Sequence, residues 1–108
     1  MATLPEPPAA FREFITRYPD LGHAWELMGQ AGKDGPLDDS TARLVKLGIA
    51  IWAMREGAVH SGVRKAVALG IEPAAIEQVV ALAAGTIGLP SAVAIFSWVR
   101  DVIPREED

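Results

Sequence analysis

In the stretch REGAVHSGVRKAVALG, Arg55 to Gly70, three side chains of complementary chemistry stand four residues apart: Glu56, His60 and Arg64. On an α-helix that spacing places them on one stripe, carboxylate beside imidazole and imidazole beside guanidinium. The chemistry this allows is proton transfer at His60, because imidazole is the side chain that ordinarily changes charge near neutral pH. Glu56 would orient the ring, and Arg64 would hold an anionic group such as a substrate carboxylate. His60 and Glu56 are therefore the candidate catalytic residues, and Arg64 is a candidate substrate-binding residue. Arg43, three residues before Lys46, is a second candidate anion binder. The same side chains also suit a polar helix edge paired across a subunit contact, and at this level both readings stay open.

Composition removes most other chemistries. The 108 residues contain no cysteine, which excludes disulfides, thiol redox chemistry and thiolate metal sites. The two histidines, His23 and His60, show no HxxxH or HExxH spacing, so no metal and no other cofactor is expected. No glycine-rich phosphate loop or nucleophile elbow is present. A net charge of −4 argues against a nucleic-acid partner, which needs a basic face. The first residues carry no basic segment followed by an apolar one, so no secretory leader is expected and the cytoplasm is the expected location. From Gln78 to Val99 no residue is charged, but Gly85, Gly88 and Pro90 interrupt the run. Two helices joined by a turn explain it better than a membrane span.

The elements that must position these groups read as helices throughout. Pro5, Pro7 and Pro8 predict an extended start over residues 1–8, and the acidic end, residues 104–108, reads as a frayed tail. Helical spacing of Phe11, Phe14, Ile15 and Tyr18 predicts a first helix over 9–18, and Asp20 is the expected N-cap of a second over about 21–31. Asp38, Asp39 and Ser40 offer caps for a third, on which Leu44, Leu47, Ile51 and Trp52 form an apolar face that Val45 and Ile49 widen toward all-round burial. Gly57 marks an expected break. A fourth helix follows over about 58–69, ended by Gly70. Glu72-Pro73 opens a fifth, to about Gly88, and a sixth runs over about 91–103. Trp25, Trp52 and Trp98 are expected as core or interface anchors. No stretch alternates with period two, so the fold class is an all-α, compact bundle of about six helices in one domain, 1–108. Half of the residues are apolar, a high share for so small a chain, which predicts a homo-oligomer that covers the surplus.

The segment LDDSTARLVKLGIAI, followed by EGAVHSGVRKAVALGIEPAAIEQVVALAAGTIGLPSAV, resembles the carboxymuconolactone decarboxylase / AhpD-like family. An acid-capped helix, a short break, a helix ending in AL-x-G and the opening I-x-P-x-x-I-x-x-V come in the family's order, over about residues 37–99. The resemblance implies an all-helical fold that assembles into trimers or hexamers. It also implies one of two activities, decarboxylation of a lactone acid or hydroperoxide reduction by a Cys-x-x-Cys pair. In the peroxidase branch a glutamate, two cysteines and a histidine form the site, the histidine eight residues before a helix-ending glycine. Here those positions carry Arg43, Arg55, Ala58 and Gly62, so cysteine-dependent peroxidase activity is excluded. A branch that reads AVHSH has histidine at two places, and this chain keeps only the first, His60. Each residue advances a helix by about 100°, so His60 lies about 200° around from position 62. Two functions remain open: acid/base chemistry on a small carboxylated substrate at a subunit-lined pocket, or a non-catalytic oligomeric scaffold or binding module.

Overall fold

The computed structural model describes residues 9–103. The extended start and the frayed tail lie outside the described residues. Among the described residues there are six helices: α1 (Ala9–Arg17), α2 (Pro19–Lys33), α3 (Asp39–Trp52), α4 (Glu56–Ala68), α5 (Pro73–Ile87) and α6 (Leu89–Val102). No strand occurs among the described residues, and no helix there is long and apolar enough to cross a membrane. The contacts fall into two compact units that divide between Leu37 and Asp38.

The first unit is the pair α1–α2. Pro19 occupies the first turn of α2, where its missing N–H costs nothing, so Tyr18 takes the capping position that the sequence suggested for Asp20. Asp20 lies instead in that first turn, where its charge meets the positive helix end. The Phe14 and Tyr18 rings meet at a tilt of 52°, with centroids 5.3 Å apart. Gly22 lets α2 approach Ile15, whose Cβ would lie 3.4 Å from an added Cβ.

The second unit holds the core. Leu47, Ile51, Val59, Val63, Ala66, Ile76, Val80, Ala92, Ile95, Val99 and Ile103 form one buried cluster. It is assembled by α3 against α4 and α5, and by α6 against α4 and α5. Asp38 caps α3 by accepting from the Thr41 N–H at 2.7 Å. The backbone and side-chain bonds from Thr41 hold its carboxyl below the ordinary carboxylate range. Val45, Ile49 and Trp52, at successive turns of α3, stay exposed, so that helix is amphipathic rather than buried all round. Of the tryptophans, Trp98 packs against the core while Trp25 and Trp52 lie at the surface.

The chain breaks before α4 differently from expectation. Gly57 sits inside the first turn of α4, and the reversal falls at Ala53–Arg55. There Met54 N–H bonds to Ile51 O at 3.0 Å and Arg55 N–H to Ala50 O at 3.3 Å, with Met54 left-handed at φ 56°. The end of α4 repeats the motif with Gly70 at φ 82°, its N–H on Val67 O at 2.9 Å and that of Ile71 on Ala66 O at 3.1 Å. Glycine adopts this conformation freely, whereas methionine must be held in it by the rest of the turn. Helix α6 starts at Leu89, two residues before Ser91, with Pro90 in its first turn, because Gly88 at φ 91° completes the reversal alone.

Candidate functional site

Helix α4 positions the candidate residues by burying one face and presenting the other. Val59, Gly62, Val63 and Ala66 are buried, as helical periodicity requires of one stripe. Gly62 lies against α3: a Cβ there would come within 3.3 Å of Leu47 Cδ1 and 4.0 Å of the Leu47 backbone. The position at which the resemblance places a catalytic histidine is therefore occupied by a helix crossing. A side chain added there would first press on Leu47, which would have to give way.

His60 lies on the side of α4 that meets α6. Its Nε2 donates to Asp101 Oδ2 at 3.1 Å, across 41 residues of sequence. Glu56 Oε2, one turn before it on α4, stands 3.9 Å from the same nitrogen, which is ion-pair range but too long for a hydrogen bond. The His60 side chain is 23% exposed, against 57% for Glu56 and 59% for Asp101. The imidazole is thus mostly covered while both carboxylates reach water. Its orientation rests on the core residues of α4 and α6, which bury Val59 and Val63 with Ile95 and Val99.

Of the four residues singled out by sequence, the structure joins Glu56 and His60. Arg64 continues the α4 stripe one turn further and is half-buried. Arg43 is half-buried on α3, and that burial lowers its pKa from the usual arginine value. Among the described residues, no ion pair or hydrogen bond links either arginine to Glu56, His60 or Asp101. Asp101 is the partner that sequence reasoning missed. It follows Arg100 near the end of α6, and only the packing of α6 on α4 brings it to His60.

Glu56, His60 and Asp101 each offer one ligand atom, all within 4.8 Å of one another. One nitrogen and two oxygens could accommodate a divalent ion, but hydration of the exposed carboxylates and the imidazole between them account for the arrangement as it stands. His23 takes no part in this group. The larger surface concavity, an open groove of about 520 Å³, lies between α5 and α6, lined by Val80, Ala84, Leu89, Ala92, Val93 and Phe96 among others. A smaller one of about 230 Å³ lies on α1, lined by Ala10, Glu13, Phe14, Arg17 and Tyr18. Neither includes the His60 group.

Comparison with known proteins adds a family. The model of the carboxymuconolactone decarboxylase family matches residues 19–101, from the first residue of α2 to the carboxylate that His60 contacts. No curated protein and no solved structure matches the chain. The order of helices α3 to α6, the Gly70 helix end and the extent of the match agree, and the chain belongs to the carboxymuconolactone decarboxylase family.

Proposed function

We propose that this family member is a decarboxylase-like lyase acting by acid/base chemistry on a small carboxylated substrate. His60 moves the proton, Glu56 supplies negative charge beside the ring, and Arg64 and Arg43 receive the substrate carboxylate. The observation that carries the reading is the hydrogen bond of 3.1 Å between a mostly covered imidazole and a carboxylate on another helix. A histidine held in one orientation at a partly dry surface suits general acid/base work. When a lactone acid loses carbon dioxide, the electron pair of the broken C–C bond stays on carbon and takes a proton, which His60 can deliver.

The exposed stripes Val45, Ile49, Trp52 on α3 and Leu82, Leu89, Val93 on α5 and α6 support assembly into a homo-oligomer. A trimer or hexamer would wall the site with a second subunit. The reading places the protein in the cytoplasm, with the substrate and further copies of itself as partners. Carbon dioxide release from a carboxymuconolactone by the wild-type chain, lost in His60→Ala, is the expected result. Equal release by both proteins would overturn it.

The open groove between α5 and α6, whose lining includes none of Glu56, His60 and Asp101, favours a second reading, a non-catalytic oligomeric scaffold or binding module. That reading predicts no turnover of any lactone acid by an assembly shown to be intact by light scattering.

A further inference from the structure

We propose that Asp101 is the positioning residue of the His60 site and that Nδ1, not Nε2, is the nitrogen that exchanges a proton with substrate. The inference deepens the acid/base reading and rests on it for its functional part alone. A carboxylate can only accept a hydrogen bond, so at 3.1 Å from Asp101 Oδ2 the His60 Nε2 must carry the hydrogen. In the neutral ring this leaves the lone pair on Nδ1. No buried side-chain nitrogen or oxygen among the described residues lacks a partner, and the bond that His60 makes uses Nε2. Nδ1 is therefore not sealed in the interior and keeps contact with solvent.

Glu56 competes for the same hydrogen from 3.9 Å and loses on distance. Its carboxylate becomes useful one step later. When a proton leaves the substrate for Nδ1, the electron pair of the broken bond stays on the substrate and the ring becomes a cation. That cation then faces Asp101 at 3.1 Å and Glu56 at 3.9 Å. Proton delivery in the opposite sense runs from Nδ1–H to the substrate carbon and restores the neutral ring. Asp101 thus selects the tautomer.

The test is nitrogen-15 NMR of the full chain, with long-range proton–nitrogen correlations recorded at a pH where both rings are neutral. His23 on α2 is an internal reference for an exposed imidazole. His60 is expected almost wholly in the form protonated at Nε2, beyond the proportion shown by His23. Asp101→Ala should bring His60 to the His23 proportion, while Glu56→Gln should leave it unchanged. Protonation at Nδ1 in the wild-type chain overturns the proposal without recourse to any variant. So does an Asp101→Ala spectrum with the tautomer unchanged. On any lactone acid that the wild type turns over, Asp101→Ala should lower kcat at least 10-fold with KM little altered, and Asp101→Glu should recover part of it. A loss confined to KM would count against the positioning role. Because the spectra need no substrate, failure of the decarboxylase reading and failure of the tautomer assignment are separate results.

Discussion

The two faces of α4 carry the same kind of residue spacing and opposite physical roles. On one, Gly62 meets Leu47 so closely that even a methyl group would press on a buried neighbour. On the other, His60 meets Asp101 through a polar contact that water partly shares. The first face is governed by volume, where interiors packed at crystal density tolerate little change. The second is governed by hydrogen bonding and charge, where substitutions alter chemistry more than stability. The position at which the resemblance places a histidine lies on the closed face, and His60 lies on the open one.

The contrast can be broken most forcefully from the closed side. Gly62→His, which puts a histidine where the resemblance implies one, should destabilise the protein by about 3 kcal/mol or more, through overpacking against Leu47. Leu47→Ala should cost about 2–5 kcal/mol as a cavity at a fully buried site, and combining it with Gly62→His should recover part of the loss. Urea denaturation measures both. If Gly62→His were neutral, the crossing of α3 and α4 would not be closed as described.

The open side should respond in the reverse way. His60→Ala is expected to shift stability by less than about 1 kcal/mol, because its partner Asp101 is exposed and can rehydrate. The same change should cost about 10²–10⁴ in turnover of a lactone acid. A large stability loss with unaltered turnover would merge the two faces into one structural role.

Smaller effects test the turns that set the orientation of α4. Met54→Gly should stabilise by about 1 kcal/mol, since glycine adopts the left-handed conformation without the methionine Cβ penalty. Gly70→Ala should destabilise by a similar amount, about 1 kcal/mol, for the same reason. Opposite signs in thermal melts would verify that the two helix ends share one motif.

The smallest expected change lies at the cap of α3, the helix that closes the first face. The Asp38 carboxyl titrates below its ordinary value of 3.8 in the folded chain. Its contribution is therefore present above the unfolded value and is lost as pH falls through the lower, folded one. Asp38→Ala should lower the melting temperature at pH 7, and the gap between variant and wild type should narrow below about pH 4. A gap independent of pH would show that the cap acts through something other than the carboxylate charge.

Much of the scaffold was legible in the sequence because it depends on local rules. Gly70, Glu72-Pro73 and the spacing of Val59, Val63 and Ala66 each act within a turn or two of helix, and each appears where periodicity and capping place it. The break before α4 was misplaced because glycine is the usual left-handed residue. Gly57 drew the expectation, whereas tertiary packing imposed that conformation on Met54 instead. Within one chain α3 is covered on one face only, since apolar composition alone does not say which neighbours cover Val45 and Ile49.

The site divides along the same line. By itself the sequence determined that Glu56 and His60 share a helical edge, that thiol chemistry is absent, and that position 62 holds a glycine. These follow from residue identity and from the fixed rise and turn of an α-helix. Only the tertiary structure decided that Gly62 faces Leu47 and that the hydrogen-bonding carboxylate is Asp101, 41 residues away. A contact between helices depends on how their apolar stripes interlock, and no spacing within either helix encodes it.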